Sequence, residues 1–287
     1  MTLKGGTMKA NDLYQEITNK LIADIESGSV GKWKMPWHTF GVPENAEGRP
    51  YRGVNSLWLA MVANENRWTS LTYGTYKAWQ AKDIQVAKGE KATKVIFWQQ
   101  IQKEDESTFM FAKTYSVFAA EQCTGAEDFI KPKERDTPER IAHAEDFFAS
   151  IPARVSEGGD RAYFDPSSDE IRLPECHQFK KPSSYYATRA HESVHWTGHE
   201  SRLNRTFGQK FGDEAYAAEE LVAELGSAMI CAQLGINSDT REDHSSYLQS
   251  WLKVLKSDAR ALITFASRAQ KAVDELNKYQ EETQCTH

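Results

Sequence analysis

The segment His191-Glu192-Ser193-Val194-His195 constrains this chain more than any other, because its two histidines stand four residues apart in a run of helical character. An α-helix completes a turn in about 3.6 residues, so both imidazoles fall on one side and can grip one cation. Glu192 directly follows the first histidine, where a carboxylate can take the proton of a metal-held water as it attacks a carbonyl. These residue types in this order are the arrangement of a metal-dependent peptidase, with Glu192 as the catalytic base. A catalytic zinc takes three protein ligands and keeps a fourth position open. Gly198 extends the pattern, but Ser201 stands where a third histidine would complete it, so the remaining ligand comes from elsewhere. The helix expected over residues 213–234 offers Glu219, Glu220 and Glu224. Glu220 is the expected ligand beside His191 and His195, with Glu224 and His199 as alternates. Glu220 and Glu224 share a helix face, so one can bind metal while the other orients a histidine. The expected cofactor is one divalent metal, zinc first, with manganese or cobalt as alternatives. Tyr163, Tyr185, Tyr186 and Tyr216 could each supply an oxyanion-stabilising hydroxyl.

Around this motif the apolar pattern divides the chain in two. Leu13, Ile17, Leu21, Ile22 and Ile25 predict an amphipathic helix over 11–27, ending at Gly28. A helix follows over 55–64 and a short one over 75–82. Then Lys94–Trp98 and Phe109–Phe118 read as a hairpin joined by Glu104-Asp105-Glu106. Gly125, Pro132 and the mixed charges of 131–135 mark a linker. The expected units are residues 1–125, a linker at 126–137, and residues 138–287. The second unit begins with a helix over 138–150 and a small sheet from strands near 154–155, 161–164 and 170–173; helices over 184–198, 213–234, 244–256 and 257–280 complete it. The fold class is α+β: an N-terminal α+β domain followed by a mainly helical domain with a small sheet. No apolar run approaches the roughly 20 residues that cross a bilayer, and the N-terminus has no secretory pattern, so a cytoplasmic location and no membrane partner are expected. The four cysteines form no C-x-x-C pair, which points to free thiols.

The net charge of −6 conceals a local basic surplus: residues 32–94 hold ten Lys or Arg against five Asp or Glu. Six of the eight tryptophans fall between Trp33 and Trp98. Cations for phosphates and rings for bases are what single-stranded DNA requires. Trp37, Tyr51, Arg52, Asn55, Trp68, Tyr73, Tyr76 and Trp79 are the candidates for stacking and hydrogen bonding, and Lys88, Lys91 and Lys94 for phosphate contact. Tryptophans also fill cores, so a share of these rings is expected to shape the domain instead.

These residues resemble the ArdC-type antirestriction proteins of conjugative plasmids, whose N-terminal domain also occurs in plasmid primases. The resemblance covers nearly the whole chain. It is carried by Lys34–Trp37, Tyr51–Asn55, Trp68, Thr75–Trp79, Val86–Lys91, His191–His199, Ser201–Arg205 and Glu219–Gly226. Ala87 departs from the pattern, since an Arg is common before the Lys-Gly pair. The resemblance implies a single-stranded-DNA-binding domain joined to a zincin-like metallopeptidase domain, protecting entering plasmid DNA from host restriction during conjugation. Single-stranded DNA is the implied partner, with double-stranded DNA and a restriction or DNA-associated protein substrate as further expectations. The alternative is a non-enzymatic DNA-binding shield whose metal site is structural or vestigial.

Overall fold

Leu13, Ile17, Leu21 and Ile25 recur at helical spacing, and in the computed structural model they form the buried face of α1 (Ala10–Ser27). The structure describes residues 10–27, 41–102, 108–130, 136–205, 214–237, 248–258 and 260–284. Gly28, the acidic turn 104–106, the linker charges at 131–135, Trp33, Trp37 and Cys285 lie outside them.

Helix α2 (Val54–Asn66) is apolar on nearly every side and is buried from Ser56 through Ala63. Strand β1 (Glu44–Asn45) precedes it, and β2 (Thr72–Gly74), α3 (Tyr76–Gln80) and β3 (Gln85–Val86) follow. The expected hairpin is formed by β4 (Thr93–Gln102) and β5 (Thr108–Ala119), and the first sheet runs β1-β2-β5-β4. The two-residue β6 (Cys123–Thr124) pairs with β3. One face of the hairpin is pinned to the helices. Ile96 enters the core, Trp58 Nε1 donates to the Lys94 carbonyl at 3.0 Å, and the Asn55 amide both donates to and accepts from the Ile96 backbone at 2.6 and 2.9 Å.

In the second half, Thr137 caps α4 (Pro138–Ala149), with the proline in the first turn where its missing N–H is harmless. The small sheet β7 (Arg154–Glu157), β8 (Tyr163–Asp165) and β9 (Glu170–Leu173) has the order β7-β9-β8. Helices α5 (Pro182–Thr197), α6 (Glu214–Leu234), α7 (Leu248–Ser257) and α8 (Ala261–Gln284) follow. Helix α6 is buried on all sides from Glu219 to Ala228, which makes it the centre of this half. Cys123, Cys176 and Cys231 are free thiols, and among the described residues no helix is long and apolar enough to cross a membrane.

The two halves share one hydrophobic cluster, running from Leu13 and Ile96 to Phe148, Leu221 and Leu276. Helix α8 packs against α1, α2, α5, α6 and α7. Its Asp274 accepts from Arg52 and its Gln270 accepts from the Gly53 amide at 3.0 Å, where α2 begins.

Candidate metal centre

Pro182 opens α5, and the helix is buried without interruption from Ala190 to Thr197. On α6, Leu221, Val222, Ala223 and Leu225 draw the helix into the interior and carry Glu219, Glu220 and Glu224 with them. The two helices approach closely at Gly226, where a Cβ atom would lie 2.7 Å from Val194 Cγ2. A glycine at that point lets the α6 carboxylates reach the α5 imidazoles.

His191, His195 and Glu220 converge, each offering an atom within 4.8 Å of the others. The two Nε2 atoms are 3.1 Å apart, and each lies 3.5 Å from a different oxygen of Glu220. An ion bound tetrahedrally at about 2.0–2.1 Å holds its ligand atoms about 3.3–3.4 Å apart. The observed spacings bracket that value, so the trio fits a divalent cation.

The outer nitrogens of both histidines face carboxylates. Glu224 Oε1 lies 3.3 Å from His191 Nδ1, and Glu219 Oε1 lies 3.3 Å from His195 Nδ1. Adjacent helix positions differ by about 100° in direction, so neighbouring Glu219 and Glu220 reach different sides of His195. Glu219 is held by Arg205, which donates from Nε and Nη2 at 2.8–3.2 Å and also binds Thr197 Oγ1 and the Val194 carbonyl. Glu192 is 3 % exposed, on the buried side of α5.

The buried carboxylates of Glu219, Glu220 and Glu224 face the two imidazoles, and the Arg205 guanidinium faces Glu219. Burial alone would lower the His195 pKa, but hydrogen bonds and charge from Glu219 and Glu220 outweigh it and raise it to about 10. Burial would raise the Glu220 carboxyl, yet the two imidazoles hold it far below the usual carboxylate range. Glu219 is lowered too, because His195 and Arg205 outweigh its burial. This field, which favours positive charge between the histidines, suits a metal ion.

The alternates are placed elsewhere. Glu224 sits behind His191. His199 lies beyond the end of α5, with Nδ1 2.8 Å from Ser201 Oγ and its ring edge-on to Phe164. Tyr185 donates to Glu157 at 2.6 Å, Tyr186 stacks on Phe148, and Tyr163 is exposed on β8. Sequence reasoning missed Arg205 and did not assign Glu219 to His195. The available signal was a cation just past the metal helix and three glutamates set within the apolar stretch Ala217–Leu225 of α6.

The DNA candidates separate by burial. Trp79 and Tyr73 are both 0 % exposed and present no face to a base, a correction to their expected role. Trp79 Nε1 donates to the Phe118 carbonyl and the Tyr73 hydroxyl to the Leu59 carbonyl. Tyr51 and Trp68 are half-buried beside Tyr73. The Asn55 amide is engaged by β4, Arg52 pairs with Asp274, and Lys94 donates to Ser116. Tyr76, Lys88 and Lys91 are exposed, and Trp37 lies outside the described residues.

Comparison with known proteins matches residues 11–125 to the N-terminal domain of the anti-restriction factor ArdC and residues 142–268 to a zincin-like metallopeptidase domain. Protein y4eC of Sinorhizobium fredii is 38% identical, over 99% of this chain and 97% of its own length. A DNA primase TraC of Escherichia coli is 34% identical over 91% of this chain, which corresponds to only 19% of the primase. The crystal structure of the antirestriction ArdC protein from the R388 plasmid in its metal-free form superposes with a TM-score of 0.80 at 37% identity, covering 94% of this chain and 98% of that one. Its Mn(II)-bound form gives 0.78 at 36% identity, covering 93% and 98%.

Proposed function

The chain belongs to the ArdC family of antirestriction proteins, and from that membership we propose that it protects plasmid DNA entering a recipient cell from restriction, by holding single-stranded DNA in its N-terminal half and acting as a metal-dependent peptidase in its C-terminal half. In this reading the DNA-binding part is residues 1–125, the linker 126–137 and the peptidase part 138–287, and the protein works in the bacterial cytoplasm. The convergence of His191, His195 and Glu220 beside a buried Glu192 carries the peptidase assignment.

His191, His195 and Glu220 would hold the metal, and a site of two histidines and one glutamate suits zinc, although the R388 relative was crystallised with Mn(II). When bound, such a metal acidifies water and polarises a carbonyl. Glu192 lies about 100° around the helix from His191 and about 60° from His195, so its carboxylate borders the pair without being spent on the ion. That carboxylate accepts the nucleophile's proton and returns it to the leaving amine nitrogen. Glu219 fixes the His195 imidazole by accepting from its Nδ1, and the Glu224 carboxylate stands 3.3 Å from the His191 Nδ1 atom. The substrate class is a restriction or DNA-associated protein.

Glu192→Gln keeps the size of the side chain and removes the base. It should leave metal content and DNA affinity unchanged while abolishing both peptide cleavage and protection in a conjugation assay. Protection that survives this change rejects the enzymatic reading in favour of a DNA shield with a structural metal.

A further inference from the structure

The hairpin of β4 and β5 has two unlike faces. The inner one is fixed by Ile96, Trp58 and Asn55, and even the partly exposed Trp98 stacks on Tyr14 at 6.0 Å. On the outer face Val95 pairs with Tyr115 and Phe97 with Lys113, so cross-strand register puts these side chains together. Val95 is buried, but Phe97 is 53% exposed and Tyr115 38%. Their ring centroids are 5.9 Å apart, and Lys113 Nζ lies 5.3 Å from the Tyr115 centroid.

We propose that this outer face, carrying Phe97, Tyr115 and Lys113, is a stacking platform for unpaired bases of single-stranded DNA. The proposal rests on the single-strand reading above and names the surface that serves it. Two rings in contact on a braced strand pair leave apolar surface open to a ligand. An ammonium group beside them gives the combination that a nucleotide requires, a π-face for the base and a cation for its phosphate. Further cations precede the platform along the chain. Exposed Lys88 and Lys91 lie in the segment that feeds β4, at the end of the stretch where basic residues outnumber acidic ones ten to five. Because Ile96, Asn55 and Trp58 hold the strands from behind, the rings are set before DNA arrives and little ordering is needed on binding.

The test uses the full chain and fluorescence anisotropy with labelled oligothymidine of about 15 nucleotides, set beside an abasic strand of equal charge. Phe97→Ala and Tyr115→Ala should each weaken oligothymidine binding about tenfold and leave abasic binding unchanged. Lys113→Gln should reduce the salt dependence of binding by about 0.7 in the log–log slope. Variants that bind oligothymidine as well as the unaltered chain, or that lose equal affinity for both strands, overturn the platform while leaving single-strand binding standing. An unaltered chain that ignores both strands removes the underlying reading as well.

Discussion

Gly226→Ala adds one methyl group where α5 and α6 touch, and its effect on metal binding can be worked from the contact itself. The new Cβ would stand 2.7 Å from Val194 Cγ2, 3.1 Å from Cγ1 and 3.5 Å from Cβ. Carbon atoms rest about 3.5–4.0 Å apart, so α6 must withdraw by about 1 Å or Val194 must leave its rotamer. Overpacking of this kind costs about 1–3 kcal/mol, while replacing a mid-helix glycine by alanine returns up to about 1 kcal/mol. The metal-free protein can relieve most of the strain by letting the helices part. A bound ion cannot allow this, because His191 and His195 flank Val194 on one helix, Glu220 lies on the other, and ligand distances tolerate only about 0.2 Å. The strain therefore falls on the loaded state. Metal affinity should drop about 5- to 150-fold, the equivalent of those 1–3 kcal/mol, with the melting temperature of the chelated protein nearly unchanged. Competition titration against a chromophoric chelator measures the first quantity and circular dichroism the second. Adding Val194→Ala should restore affinity by making room. If Gly226→Ala binds metal as tightly as the unaltered chain, the close approach of these helices does not set the site.

Two further perturbations probe the same centre. Arg205→Gln strips Glu219 of its guanidinium where both side chains are under 10% exposed, and should destabilise the fold by about 3 kcal/mol, seen as a melting temperature lower by roughly 6–12 °C. A loss within 1 °C would mean that the buried pair is not structural. Chelation should lower the melting temperature of the loaded protein as well, since a ligand at about 100 times its dissociation constant adds about 2.7 kcal/mol. Glu220→Ala should make melting insensitive to chelator, and a persistent shift in that variant would mean that Glu220 is not a ligand.

The sequence made legible whatever periodicity and spacing encode. Leu13, Ile17, Leu21 and Ile25 can serve only as one buried helix face, and the His191–His195 interval by itself sets both imidazoles on one side. The apolar positions around Glu219, Glu220 and Glu224 likewise marked a helix that would bring carboxylates inward. Contacts between remote segments left no such trace. The pairing of Arg52 with Asp274 joins positions 222 residues apart, and nothing in the local sequence distinguishes an arginine that meets an aspartate from one that meets a phosphate. Aromatic residues were ambiguous for a similar reason. Trp79 and Phe97 are alike in composition, yet Trp79 is buried against Gly74, where a Cβ would come within 2.7 Å of its ring, whereas Phe97 faces outward because its strand neighbour Ile96 takes the inward position. The two-residue strands β1, β3 and β6 are too short to show alternation at all.

The shared core bears on how the two activities are to be separated. In sequence the polar stretch around residues 126–137 looks like a hinge between independent modules. In the fold, α1 and α2 pack on α8, and Ile96 belongs to the same apolar cluster as Leu221 and Leu276. Cutting the chain near residue 125 would strip α8 from the apolar faces of α1 and α2, and each exposed Leu or Ile would forfeit about 1.5–3 kcal/mol of burial. A fragment that fails to bind DNA would then report lost folding as readily as lost function. Point substitutions at exposed Phe97 and Tyr115, or at Glu192, leave that core intact, so they are the changes whose effects can be read as chemistry.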